Sequence, residues 1–243
     1  MQLIQDIITV HRDAIKAALP KLRFTPILAL AYLLYQVIQS LISLVGSRLA
    51  TGGASFLWGF VVYLVNIALL AHFLTLMTSV IRYGRLDLQD LVSSHFTQLM
   101  PALIQAFFII YVIELIFSLF LGSLLPGLVT TLILLAWSAF QTPVSESVYL
   151  ANRYGLDALR HTLEFWKTSW AQWLPVILIS WLVRYTVGIQ VQVFASALNW
   201  RFLVGNLLIG FAYSAWMIWR GELFVILDGS TMRSRAFRRR ANR

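Results

Sequence analysis

The sequence predicts an all-α protein, a polytopic bundle of six transmembrane helices that forms one transmembrane domain over residues 1–243. Of the 243 residues, 59% are hydrophobic and 12% are charged, and the mean hydropathy is +0.77. About a quarter of the residues in soluble domains are charged. Six apolar stretches approach the roughly 20 residues that a helix needs to cross a bilayer. Because backbone groups must be paired in lipid, such uninterrupted stretches indicate helices. The expected spans are about 26–45, 55–81, 101–121, 128–144, 174–194 and 202–227.

Amphipathic surface helices are expected before spans one, three and five. Apolar residues of 1–22 follow the 3.6-residue period, and Pro20 should end or bend this helix. We interpret it as lying on the membrane surface, with packing on cytoplasmic loops as the alternative. Segment 82–100 leads to Pro101 in the same way. Segment 156–173 repeats leucine and tryptophan at spacings of three and four, which suits a helix half sunk in headgroups before Pro175.

The basic residues predict the orientation. With the N-terminus in the cytoplasm, all but three of the 19 Lys and Arg residues lie in cytoplasmic segments. The exceptions are Arg48 and Arg201 in outer turns and Arg184 within a span. This bias places both termini in the cytoplasm of a multi-pass protein of the bacterial inner membrane. It also explains the net charge of +9 without a nucleic-acid partner.

An internal threefold repeat of helix pairs is a further expectation. Pro26, Pro101 and Pro175 each precede an odd-numbered span, at separations of 75 and 74 residues. The tripeptide RYG also occurs twice, at 82–84 and 153–155. Such a period suggests three parallel units. The alternative is that proline is simply common at helix starts.

Five polar side chains within the spans form the candidate intramembrane site: Glu114, Arg184, His72, Asn66 and Asn206. A lone charge in the bilayer costs several kcal/mol, so Glu114 and Arg184 are expected to form an ion pair or share a wet cavity. The alternative is that each reaches the interface or bonds a local polar group. His72 can carry a proton near neutral pH, or it can bond a neighbouring helix.

Several chemistries are not expected. The chain has no cysteine, and its four histidines are scattered, so no metal site and no cofactor are predicted. The basic tail, residues 230–243, should contact anionic lipid headgroups. The contacting residues would be Arg233, Arg235, Arg238, Arg239 and Arg240. A membrane-protein partner or a second copy of the chain is the other possible partner.

Two stretches carry a family resemblance. The first is NRYGLDALRHTLEFWKTSWAQWLPVILISWLV, with Gly155, the small and basic run Ala158–Arg160, and the aromatic run Trp166–Pro175. The second is the preceding hairpin, ELIFSLFLGSLLPGLVTTLILLAWSAFQTPV. Together they resemble the YciC-like bacterial inner-membrane proteins and the membrane domain fused to some glycerophosphodiester phosphodiesterases. The resemblance implies a six-helix bundle in the cytoplasmic membrane, and it implies no catalytic residues.

These observations predict a non-enzymatic membrane protein, an accessory or scaffold subunit that acts through lipid and protein contacts. The alternative is a small transporter or channel whose path is lined by Glu114, Arg184 and His72. A weaker alternative is an intramembrane lipid-processing enzyme, for which Glu146, Asp157 and His161 are the local candidates. Water access to Glu114 distinguishes the first two.

Overall fold

The computed structural model describes residues 2–49, 54–86, 96–124, 127–194 and 200–241, and over these residues it contains helices and turns only. The α-helices are α1 (Gln2–Ala18), α2 (Thr25–Leu49), α3 (Ala54–Thr78), α4 (Phe96–Leu124), α5 (Gly127–Gln141), α6 (Val144–Tyr149), α7 (Gly155–Phe194), α8 (Trp200–Leu227) and α9 (Met232–Ala241). A 3₁₀ segment, Leu19–Phe24, joins α1 to α2, and a π-helical turn, Ser79–Tyr83, ends α3.

Five helical stretches are long and apolar enough to cross a membrane: Leu3–Gly46, Leu57–Tyr83, Thr97–Phe117, Gly127–Tyr149 and Trp200–Leu227. They correspond to the expected spans one, two, three, four and six. The expected fifth span, 174–194, lies within α7, and the side chains of its residues 184–194 lie outside the described residues. The described helices therefore indicate a membrane protein with five candidate spans.

The prolines act differently from one another. Pro20 ends α1, and the chain continues in the tighter 3₁₀ segment. Pro101 and Pro175, by contrast, lie inside continuous helices, so the break expected at Pro175 is absent. The expected surface helix 156–173 and the expected fifth span form one helix of 40 residues. Membrane helices tolerate proline when neighbouring groups satisfy the backbone carbonyl that it leaves unpaired. Residues 87–95 of the surface segment expected before Pro101 lie outside the described residues.

The described chain divides into two compact units. The terminal unit comprises Met1–Ile15, Pro101–Ser180 and Gly221–Arg243, and the hairpin unit comprises Lys16–Met100 and Trp181–Arg220. In the hairpin unit, α2 packs against α3, and Tyr213 of α8 lies 5.4 Å from Tyr32 and 5.7 Å from Phe73, measured between ring centroids. A β-carbon on Gly210 would lie 3.0 Å from the Ala29 carbonyl oxygen, so this glycine permits the close approach of α8 to α2.

The core of the terminal unit is aromatic. Phe165 and Phe224 stack with ring centroids 5.0 Å apart, and Trp173 meets Phe165 edge-on at 5.1 Å. Trp173, Tyr149 and Phe224 are among its largest fully buried side chains. This core joins α6, α7 and the C-terminal end of α8.

Helix α1 is amphipathic, as expected, but its large apolar side chains face outward. The buried positions are Asp6, Val10, Ala14 and Ala18, spaced by four residues. The exposed apolar positions are Leu3, Ile4, Ile8 and Ile15, and the exposed Leu19 follows at the start of the 3₁₀ segment. A helix on a soluble domain shows the opposite arrangement.

Candidate functional site

A buried ionic network in the terminal unit joins α1, α7 and α9. The Asp6 carboxylate is 2% exposed and accepts hydrogen bonds from the Gln172 amide at 2.8 Å and from the Arg235 guanidinium at 2.9 Å, both at Oδ2. The other Arg235 nitrogen, Nη1, donates to the Ser230 carbonyl and hydroxyl, each at 2.9 Å. These contacts bring the N-terminal and C-terminal helices to the same part of α7.

His11, in the surface helix that precedes the first expected span, makes a second connection between α1 and α7. Its Nε2 donates to the Gln172 carbonyl at 3.0 Å. Burial lowers the pKa of His11, and the hydrogen bond to Gln172 opposes part of that effect. The imidazole therefore favours its neutral form more strongly in the folded chain than in the unfolded chain.

We expect this shift to make the stability of the fold depend on pH. Because the folded pKa lies below the ordinary value of 6.5, the unfolded chain binds more protons in the window between the two values. The contribution of neutral His11 to the free energy of unfolding is complete above pH 6.5 and is lost as the pH falls toward the folded pKa. The melting temperature in detergent should fall less steeply between about pH 8 and pH 5 for His11→Gln than for the wild type. Parallel curves would contradict this assignment.

A second polar chain in the terminal unit connects a serine, a histidine and an aspartate. The Ser147 hydroxyl lies 3.1 Å from His161 Nδ1, and His161 Nε2 lies 3.0 Å from the Asp228 carboxylate. Ser147 also bonds the Pro143 carbonyl at 3.0 Å and the Thr162 hydroxyl at 3.1 Å. The sequence contains no spacing that identifies this triad, because the three residues come from α6, α7 and the end of α8.

The order Ser–His–Asp is that of acyl-transfer enzymes, but the surroundings favour a structural role. A nucleophile needs open approach and nearby donors for the developing oxyanion. Ser147 is fully buried, and its hydroxyl already has protein neighbours. The triad thus links α6, α7 and α8 beneath the surface.

Four residues of the expected intramembrane site have hydrogen-bond partners within their own unit. In the terminal unit, the Glu114 carboxylate accepts a bond of 2.6 Å from the Gln141 amide. In the hairpin unit, the Gln39 amide donates to Asn66 at 3.0 Å, and His72 Nδ1 bonds the Tyr35 hydroxyl. Asn206 donates to the Phe202 carbonyl of its own helix at 2.9 Å. The side chain of Arg184, and with it the expected Glu114–Arg184 pair, lies outside the described residues.

The tail arginines have different positions. Arg233 is exposed, as a headgroup contact requires, whereas Arg235 is buried in the network with Asp6. Arg235 therefore contributes to the fold in place of the expected lipid contact. The side chains of Arg238, Arg239 and Arg240 lie outside the described part of the chain.

The three residues considered for lipid chemistry have different neighbours. Glu146 is fully buried and accepts a bond from Ser145 at 3.0 Å. His161 belongs to the triad, and Asp157 is exposed in the first turn of α7. Within the described ranges, no three His, Asp or Glu side chains are grouped so that they could hold a metal ion.

No protein-family model matches the chain, and no significant match was found among curated proteins or solved structures. The resemblance to the YciC-like group stays a prediction.

Proposed function

We propose that this chain is a non-enzymatic scaffold or accessory subunit of the bacterial inner membrane, which acts through its surface helices. The observation that carries the proposal is the Asp6–Gln172–Arg235 network. It uses buried charge to hold α1, α7 and α9 together. Breaking a buried ion pair is strongly destabilising, so the pair fixes this arrangement of helices. A rigid set of surface helices is what a docking partner requires.

The same proposal places six spans in the membrane, with both termini in the cytoplasm. Three observations support a threefold repeat of helix pairs among these spans. The three described glycines with left-handed backbones are Gly84, Gly155 and Gly229, which follow the second, fourth and sixth expected spans at separations of 71 and 74 residues. The prolines at the expected starts of the odd spans, Pro26, Pro101 and Pro175, have nearly the same period.

The third observation is a repeated hydrogen bond. Gln39 and Glu114 each follow their span-starting prolines, Pro26 and Pro101, by 13 residues. Each is bonded to a residue 27 positions later in the next helix, Asn66 and Gln141 respectively. Corresponding positions in the first two hairpins are thus hydrogen-bonded across the two helices, although the earlier residue donates in the first hairpin and the later residue donates in the second. This supports their equivalence, and it supports a role for Glu114 in joining two helices.

Lipid contact is the second part of the proposal. The outward isoleucines of α1 suit the acyl boundary of a bilayer, and exposed Arg12, Lys16 and Arg233 suit its anionic headgroups. The chain would then bind lipid on one side of α1 and its own α7 on the other.

A small transporter or channel remains the second candidate, because the side chain of Glu114 is exposed rather than enclosed. A transported ion or substrate needs water at this carboxylate, whereas an interhelical bond does not. The natural absence of cysteine allows a direct test.

We expect Glu114→Cys to resist a membrane-impermeant maleimide from both sides, because a thiol without water stays protonated and unreactive, and to react once the chain is denatured in SDS. Tyr111→Cys, on an exposed position one turn earlier in α4, should behave identically. Arg153→Cys, at an exposed position expected at the cytoplasmic surface, should react with the impermeant reagent from that side and controls for reagent access. If the impermeant reagent labelled both the Glu114→Cys and the Tyr111→Cys variants from one side, the result would mean a wet path and would favour transport.

A further inference from the structure

A groove of about 450 Å³ lies in the terminal unit where α4 meets the start of α7. Its walls are formed by two sets of residues. The polar set is Gln105, Tyr154 and Asp157, and the apolar set is Phe108, Ile109 and Leu156. Gly155 forms the corner between them. The volume is in the range of small-molecule sites, which combine apolar walls with a few polar groups.

The polar side of the groove is built by the chain turn at Gly155. This glycine has φ +50°, and a β-carbon there would lie 3.0 Å from Oε1 of Gln105. The positive φ favours glycine here, and any side chain at this position would also have to displace the end of the Gln105 side chain. The backbone N–H of Asp157 donates to the Tyr154 carbonyl at 3.0 Å in the first turn of α7. This turn places the Asp157 carboxylate at the groove.

The apolar side of the groove is open to the surroundings of the chain. Phe108 is 57% exposed and Leu156 is 70% exposed. Phe108 and Ile109 lie seven and eight residues beyond Pro101, so in the proposed orientation they are deeper in the bilayer than Asp157. The groove therefore has a polar end at headgroup depth and an apolar end beside the acyl chains.

We propose that this groove binds an aminophospholipid with an ethanolamine headgroup. The proposal rests on the membrane orientation proposed above. Among the described residues of the lining, Asp157 is the one that carries a charge, and its carboxylate complements the primary ammonium of the headgroup. The Gln105 amide and the Tyr154 hydroxyl can donate to phosphate or ester oxygens. Phe108, Ile109 and Leu156 contact the upper part of an acyl chain.

The charge of the lining distinguishes between headgroups. An anionic phosphatidylglycerol headgroup offers no cation to Asp157, so the repulsion between its phosphate and the carboxylate is not offset by an ammonium. A choline headgroup is cationic but has no N–H to donate to the carboxylate. The exposed acid Glu164 lies on the same helix outside the groove and pairs with Arg160 at 3.5 Å, so it provides a matched control.

The test uses the full chain, purified in detergent and offered equal amounts of phosphatidylethanolamine, phosphatidylglycerol and phosphatidylcholine, with bound lipid counted by native mass spectrometry. We expect the wild type and Glu164→Gln to prefer phosphatidylethanolamine. We expect Asp157→Asn to lose about fivefold of that binding, with the other lipids unaffected. Circular dichroism would show that each variant is folded.

Two outcomes would overturn the proposal: equal phosphatidylethanolamine binding by Asp157→Asn, or a wild-type preference for phosphatidylglycerol. Soluble phosphoethanolamine should displace bound phosphatidylethanolamine poorly. If it competed as strongly as the intact lipid does, the apolar wall would contribute nothing to binding, and a lipid ligand would be excluded. Extraction of the chain from membranes by alkaline carbonate would instead disprove the proposed membrane insertion, and the lipid site with it.

Discussion

Replacement of Asp6 with alanine is expected to lower the free energy of unfolding by about 3–5 kcal/mol. The substitution leaves the Arg235 guanidinium buried without the carboxylate that it bonds at 2.9 Å. It also removes the acceptor of the Gln172 amide. Loss of a buried ionic partner costs far more than loss of a surface contact, because the desolvation of the Arg235 guanidinium is then offset less fully. The effect should appear as a large fall in the melting temperature of the detergent-solubilised chain.

Asp13→Ala is the matched control on the same helix. Asp13 is exposed, and its nearest contact with Arg12 is 4.0 Å long, so its loss should change little. The double variant Asp6→Leu with Arg235→Met should recover most of the stability, since apolar residues often replace a buried pair without cost. Equal shifts for Asp6→Ala and Asp13→Ala would contradict the buried pair.

The network also shows what sequence patterns leave undetermined. The period of α1 predicts a helix with one apolar face, and the structure contains that helix. The period does not distinguish a face that packs inward from a face that contacts lipid, because both are apolar. In α1, the buried side chains are those of Asp6, Val10, Ala14 and Ala18, and the exposed isoleucines are Ile4, Ile8 and Ile15. A reading based on soluble proteins would place Asp6 in water.

The polar residues within the apolar spans can be identified from the sequence, but their hydrogen-bond partners cannot. Glu114, His72 and Asn66 are conspicuous within apolar spans, and composition alone identifies them. Their partners Gln141, Tyr35 and Gln39 are ordinary residues whose roles depend on the register between two helices. That register follows from side-chain packing along the hairpin, which a single helical period does not contain. The Ser147–His161–Asp228 triad escaped prediction for the same reason, since three elements must meet to form it.

Pro175 shows that the local preference of one residue does not always predict where a helix begins. The sequence predicts a helix start at Pro175, yet Pro175 lies inside α7, a continuous helix of 40 residues. The local preference of proline is outweighed where neighbouring helices hold the flanking turns in place. Val176 and Ile177, which follow it, are buried. Packing on both sides of the proline thus supports the helix across the lost hydrogen bond.

The second large effect is expected for Trp173→Ala, which should destabilise the chain by about 3–5 kcal/mol. Trp173 is 0% exposed, packs against Phe165 and Phe224, and donates its indole N–H to the Thr142 hydroxyl at 2.9 Å. Removing the ring leaves a cavity in the aromatic core of the terminal unit. Trp173→Phe keeps most of the volume and loses the hydrogen bond, so its cost should be about 1 kcal/mol.

Trp170 is the matched control for this prediction, because the sequence places both tryptophans in one apolar pattern of the same helix. The structure separates them, since Trp170 is 55% exposed and Trp173 is buried. Trp170→Ala should leave the melting temperature in detergent nearly unchanged and should weaken binding to lipid vesicles, as expected of an interfacial tryptophan. Comparable losses of stability for the two variants would mean that the exposed face of α7 is covered by protein. That result would direct the search for a partner to Leu163 and Trp170, where the apolar face of α7 is open.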